Sequence, residues 1–281
     1  MYITVLYPVF LGILIFLTGC SGLEQSEQEK IRRMNAKGEF VYRTHDEYLY
    51  AIGTPKHRLR EKYPWEETLI GNHSKITKEF FRCRGSSLNP AHVNHADPAN
   101  GVNFDCGGID KHSLPLRENK EFVYPILIEL LNYIQAKMGK KVVITCGHRC
   151  PQHNVYADPS PFNQSSKHMI GAEVDFYVQG MEQKPEDIVN LLMQFYRETP
   201  GYRDHKDYED FKRYEKGDTN VSTHPWYNKE IFIKLFKKHE GRDSDNRHPY
   251  PYLCIQVRHD RDLNEKVTYT WQKAFNEFRR Y

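Results

Sequence analysis

The chain contains no long run of lysine or arginine, and its formal charge of +3 is too small to draw it to a polyanion. Nucleic-acid binding is set aside on that ground. No internal repeat is present, which removes solenoids and propellers. Between Phe40 and about Leu116 there is no long periodic apolar segment. Gly, Pro, Asn and His fall there in short runs instead, among them Asn89-Pro90, Asp97-Pro98, Asn100-Gly101 and Cys106-Gly107-Gly108. Such punctuation excludes long helices and predicts a loop-rich region over 39–117. With 281 residues the chain is nevertheless long enough for a substantial core.

The first nineteen residues carry no charge and are mostly apolar from Val5 through Leu17, too short a stretch for an ordinary membrane span. They end in Leu17-Thr18-Gly19-Cys20, followed by Ser21. This resembles a bacterial lipoprotein signal peptide, with small residues before a cysteine that is lipidated after cleavage; the absence of Lys and Arg from Met1 to Phe10 departs from that pattern. The resemblance implies removal of 1–19, lipidation at Cys20 and a polar tether over 20–38. It also implies a folded part held at a membrane face in the cell envelope. Five further cysteines, Cys83, Cys106, Cys146, Cys150 and Cys254, leave at least one thiol unpaired. Export permits disulfides; Cys83–Cys106 is one plausible bridge and Cys146–Cys150 another, and the sequence alone fixes neither pairing. A redox role for Cys146 and Cys150 ranks low, because their spacing is not C-x-x-C.

The remaining chain, 118–281, carries the regular elements. Phe122, Ile126, Leu127, Leu130, Leu131 and Ile134 recur at helical spacing, with Pro125 suited to the first turn and Gly139 to the stop. Lys141 to Thr145 reads as a buried strand, and Gly147 to Gln164 as a long loop. Pro185 to Glu198 reads as a second amphipathic helix, and 200–222 as a charged, exposed insertion. A third helix is expected from about Pro225 to His239, then strands at 252–258 and 267–270 and a C-terminal helix. Strands interleaved with helices, without a repeating βαβ unit, predict an α+β domain.

The chemistry is expected in Ser166-Lys167-His168-Met169-Ile170-Gly171-Ala172-Glu173-Val174-Asp175. Imidazole and carboxylate are donors that Zn²⁺ accepts, and a catalytic zinc needs only three protein ligands. Gly171 lets the chain turn sharply between the two donors. An isolated pattern of this kind is more often a turn entering a buried strand.

A second motif precedes it: Val143-Ile144-Thr145-Cys146-Gly147-His148-Arg149-Cys150-Pro151-Gln152-His153-Asn154. Together the two segments resemble the M15 family of zinc peptidases, the D-alanyl-D-alanine carboxypeptidases and related peptidoglycan endopeptidases. The resemblance covers roughly 120–260. It implies a small antiparallel-rich sheet flanked by helices, of the hedgehog/DD-peptidase type. It further implies peptidoglycan peptides as substrate, a zinc ion, His168 and Asp175 as ligands, and Arg149 as the group that steadies a substrate carboxylate or oxyanion.

The family brings the third ligand from a late strand, here Leu253 to Asp260, where His259 is the expected ligand, Cys254 its competitor and His248 a more distant option. Strand alternation turns Cys254 and Gln256 toward the cleft and Leu253, Ile255 and Val257 toward the core, so His259 needs the strand to end or bulge. Gln256 cannot serve as a base at neutral pH. Glu173, which replaces a family alanine and points with Asp175, or Asp260, is the expected general base. The chain thus reads as a lipid-anchored zinc peptidase of the cell wall. The competing reading is an inactive peptidoglycan-binding lipoprotein of the same fold.

Overall fold

The computed structural model describes residues 68–93, 101–158 and 166–281, together with 29, 30, 32 and 33. The expected signal peptide 1–19, Cys20 and most of the tether lie outside the described residues. The chain divides into two units, Met1–Glu61 and Lys62–Tyr281, and the fold described here is that of the second. Among the described residues, no helix is long and apolar enough to cross a membrane.

Helix α1 (Pro125–Met138) starts on a proline that needs no N–H partner and stops at Gly139, which is left-handed at φ 60°. The Gly139 N–H closes the last turn on the Gln135 carbonyl at 2.9 Å. Leu127, Leu130, Leu131 and Ile134 are fully buried, each worth about 1.5–3 kcal/mol of transfer free energy. The chain then forms β1 (Val142–Cys146), a short helix α2 (Pro151–Ala157), β2 (Glu173–Val178) and helix α3 (Pro185–Glu198). Two-residue strands β3 (Lys212–Arg213) and β4 (Trp226–Tyr227) precede β5 (Ile231–Phe236), β6 (Tyr252–Val257) and helix α4 (Trp271–Asn276).

The six strands form one sheet in the order β1-β2-β6-β5-β4-β3, antiparallel at every junction. Helices α1 and α3 pack on one face, where Val174, Phe176, Ile233, Ile255 and Val257 meet Leu130, Ile134, Leu192 and Tyr196 in a single core. The α+β expectation holds.

Several expectations do not, among them the strand expected over 267–270, where only Glu265–Lys266 just before it pairs. Residues 225–239 form strands, not a helix. Ile231, Ile233 and Leu235 are buried while Phe232 and Lys234 between them are half-buried, which is period two. The loop expected over 147–164 contains α2, whose N-terminus is capped by Cys150: its Sγ accepts the His153 N–H at 3.3 Å. The sulfurs of Cys83 and Cys106 lie 3.8 Å apart, and all five described cysteines are free, so neither bridge forms. A disulfide needs about 2.05 Å.

Glu230, at the entrance to β5, is buried and accepts hydrogen bonds from the hydroxyls of Tyr196 at 3.0 Å and Tyr202 at 3.2 Å. Burial pushes its carboxyl up from 4.5 to about 7, against the opposing pull of the two tyrosines and Arg261. An acid raised on folding stabilises the fold below its unfolded pKa and loses that contribution as pH rises through the folded value. Between pH 4.5 and about 7 the parent protein is expected to lose on the order of 3 kcal/mol relative to Glu230→Gln. Urea denaturation of both proteins across that range measures the difference.

Candidate metal centre

Three neighbouring strands carry the site on one row. Cys146 of β1 faces Asp175 of β2, which faces Cys254 of β6; one step along, Glu173 faces Gln256. The β1–β2 register shifts between Ile144 and Cys146, so Thr145 is an extra residue that brings Cys146 opposite Asp175. Before β2, Lys167–Ile170 makes a single 3-10 turn that ends on Gly171, left-handed at φ 68°. A side chain there would meet the Phe122 carbonyl at 3.0 Å, so glycine allows both the turn and the close approach.

That turn delivers the His168 ring. Its Nδ1 lies 2.6 Å from the Gly147 carbonyl, which makes Nδ1 the protonated nitrogen and leaves the Nε2 lone pair facing the carboxylates. Nε2 lies 3.5 Å from Asp175 Oδ2 and 3.8 Å from Glu173 Oε1. Cys254 Sγ donates to Glu173 Oε1 at 2.9 Å, and the Gln256 amide donates to the same oxygen at 2.7 Å.

Two overlapping groups could hold a metal here: Cys146 with His168 and Asp175, or Glu173 with Asp175 and Cys254. The tautomer separates them. Cys146 Sγ lies 3.4 Å from Nδ1, the side of the ring already spent on Gly147. Asp175 and Glu173 face Nε2, and Cys254 joins them through Glu173 Oε1.

The electrostatics fit a cation. Burial alone would push the Glu173 carboxyl up, but His168, Lys234 and the hydrogen bonds from Cys254 and Gln256 bring it down to about 2. Burial and the two carboxylates push the Cys254 thiol well above its ordinary value, so the proton of that pair sits on sulfur. Burial lowers His168, and Glu173 and Asp175 more than reverse it. Two buried carboxylates and one imidazole lone pair make a field that a divalent ion would neutralise, drawing the thiol to thiolate.

A second ring of residues orients this set. Asn246 donates to Asp175 Oδ2 at 2.9 Å and to Asp243 Oδ1 at 3.1 Å, while its own carbonyl accepts from Thr145 at 2.6 Å. Arg149 is buried; its Nε donates to Asp245 at 2.7 Å and its Nη2 to Asp243 at 2.6 Å. His153 bridges Asp105 (2.6 Å) and Asp245 (2.9 Å), and those carboxylates overcome burial to raise it to about 10. Arg149 therefore acts first as the clamp that fastens the 241–250 loop over Asp175. Among the described residues only its Nη1 has no hydrogen bond, so only that nitrogen is left to meet a substrate.

His259 and Asp260 do not reach this place. Strand β6 ends at Val257, where the Arg258 N–H turns to the Glu230 carbonyl at 2.7 Å. His259 then pairs with Lys266 in a separate two-stranded ladder, with its Nε2 3.2 Å from Asn264. Asp260 accepts from Arg117 at 2.6 Å and caps its own turn through the N–H groups of Asp262 and Leu263. His248 packs on Tyr177 and joins no donor group. On the late strand it is Cys254 that lies beside Asp175 and Glu173.

Above the row opens a cleft of about 450 Å³, lined by His168, Glu173, Asp175, Cys254, Lys234 and Arg242 among others. A family model described as Peptidase M15 matches residues 102–209. That stretch is similar to the M15 peptidases. It contains Arg149, His168, Glu173 and Asp175, and it stops before Asn246 and Cys254. No curated protein and no solved structure matches the chain. This similarity suggests peptidase activity for the stretch that carries His168 and Asp175.

Cys254→Ala is expected to lower the metal content of the purified chain by one ion, and His259→Ala to leave it unchanged; elemental analysis of both decides between the two residues. Asn246→Ala removes the hydrogen bond that orients Asp175 and is expected to weaken metal affinity by about 10- to 100-fold. Competition against a chromophoric chelator reads that loss.

Proposed function

We propose that the chain is a zinc-dependent peptidase that hydrolyses amide bonds in the peptide stems or cross-links of peptidoglycan, tethered to a membrane through a lipid on Cys20. The observation that carries this reading is the His168 ring, fixed by Gly147 so that its free nitrogen meets Asp175 and Glu173 beside Cys254. His168, Asp175 and Cys254 would hold the ion. When bound, it supplies Lewis-acid polarisation of the scissile carbonyl and acidifies water.

The chain's own residues divide the remaining work. Glu173 is ionised at neutral pH, the form a general base requires. Its carboxylate takes the proton of the attacking water and returns it to the departing amine. Conversion of Cys254 to a thiolate ligand removes the S–H donor from Glu173 Oε1, leaving the Gln256 amide to hold that oxygen in place. Lys234, opposite Cys254 across the β5–β6 ladder, and Arg242 present positive charge to the cleft without a carboxylate partner among the described residues. These cations suit a substrate that carries free carboxylates, as stem peptides do. Arg149, which also lines the cleft, adds its Nη1 as a donor.

The test is cleavage of purified peptidoglycan and soluble stem peptides by the full chain, read by mass spectrometry of the released fragments. Cleavage is expected to vanish with a chelator and return with zinc. Glu173→Gln is expected to lose about 10²- to 10⁴-fold in turnover while still binding the ion. A zinc-loaded, folded parent protein that binds the polymer and leaves every amide intact would make the chain a binding protein instead.

A further inference from the structure

Away from the cleft, Cys83, Cys106, His112 and Cys150 converge. Their ligand atoms all lie within 4.8 Å of one another, and all four residues are buried. They come from four separate places: Cys83 after the 3-10 turn Lys78–Phe81, Cys106 and His112 on either side of the turn Ile109–Lys111, and Cys150 at the N-terminus of α2.

The local geometry is that of a tetrahedral ligand set. The 3.8 Å between Cys83 Sγ and Cys106 Sγ is far beyond a bond, and it matches the edge of about 3.8 Å that thiolates around zinc form at about 2.3 Å each. His112 Nδ1 lies 3.3 Å from the Ser113 carbonyl, while its Nε2 is buried with no hydrogen-bond partner. One nitrogen on a backbone carbonyl and the other left as a bare lone pair is the arrangement a metal-binding histidine adopts. The Cys150 sulfur already accepts the His153 N–H at 3.3 Å, a donor that favours thiolate.

Two glycines make room for this approach. A side chain on Gly85 would meet Cys106 Sγ at 2.1 Å, and one on Gly108, at φ 89°, would meet the Gly85 carbonyl at 2.8 Å.

The described part of the segment around these ligands is held by polar contacts and has no apolar core of its own. Between Cys83 and His112, the described buried residues are Cys83, Gly85, Asp105, Cys106, Gly108 and His112. Its large apolar residues, Leu88, Val93, Val102, Phe104 and Ile109, are exposed. A stretch that buries no large apolar side chain needs another source of stability, and a metal is the usual one.

We propose that Cys83, Cys106, His112 and Cys150 hold a structural zinc ion, closed to substrate, that fastens the 83–112 segment to the start of α2. The proposal is independent of the peptidase reading. The four ligands fill the tetrahedron, so the site has no place for a substrate. It also pins both ends of a polar chain, because Asp105 precedes Cys106 and Arg149 precedes Cys150, and His153 with Asp245 joins them.

The experiment uses the full chain carrying His168→Ala and Asp175→Ala, which takes the imidazole and one of the two carboxylates from the cleft. This variant is expected to retain one zinc per chain. Cobalt in its place is expected to give thiolate-to-metal charge-transfer absorption of three-sulfur intensity. Adding His112→Ala is expected to lose that ion, and His112→Cys to keep it through a fourth thiolate. Should His112→Ala fail to fold, titration of the parent protein with a thiol reagent serves instead, with one zinc released as three thiols react. A folded His168→Ala/Asp175→Ala protein without zinc would overturn the proposal. So would a thiol count, taken in denaturant with chelator, that falls two short because a disulfide joins two of these cysteines.

Discussion

Everything at the cleft depends on the register of three antiparallel strands. Because side chains alternate along a strand, the pairing that sets Cys254 against Asp175 also sets Gln256 against Glu173. The same pairing sends Leu253, Ile255 and Val257 into the core beneath α1 and α3. Hydrophobic burial on one face thus fixes the position of polar donors on the other. The bulge at Thr145 extends the row to Cys146 and frees the Thr145 hydroxyl to hold Asn246.

A chain of charges stabilises what the register positions. Asp105, His153, Asp245, Arg149, Asp243, Asn246 and Asp175 follow one another through hydrogen bonds of 2.6 to 3.1 Å. Its members come from the loop-rich N-terminal part, α2, the 241–250 loop and β2. Buried charges are stable only when each is partnered, and here every carboxylate meets a cation or an amide. The fold thereby ties its candidate metal donors to segments that contribute few apolar contacts. Acidic and basic groups that look dispersed along the chain form one connected lattice in the fold.

Much of this was legible before any coordinates, and the reasons for the remainder are physical. Helices α1 and α3 declare themselves through long apolar periodicity with proline at the start, and in α1 glycine at the stop. The His168, Gly171 and Asp175 spacing points to the bend because only the turn brings imidazole and carboxylate together. Strand β5 was misread because Ile231, Phe232, Leu235 and Phe236 fit helical spacing as well as Ile231, Ile233 and Leu235 fit a strand. Helix α2 is seven residues long, too short for periodicity, although Cys150 before Pro151 was a capping signal. His259 drew attention as an imidazole near the family's late-strand position. Alternation turns Cys254 to the cleft, and the end of β6 at Val257 carries His259 away from it. Asn246 and the cluster of Cys83, Cys106, His112 and Cys150 could not be read from spacing, since their partners are distant in sequence.

The period of two that builds the row also makes it indivisible. Sliding β6 by a single position would present Leu253 and Ile255 to the cleft in place of Cys254 and Gln256. No partly competent arrangement lies between the two registers. Near misfolds of this protein are therefore blank rather than impaired, and ion uptake at the cleft counts correctly threaded molecules one by one.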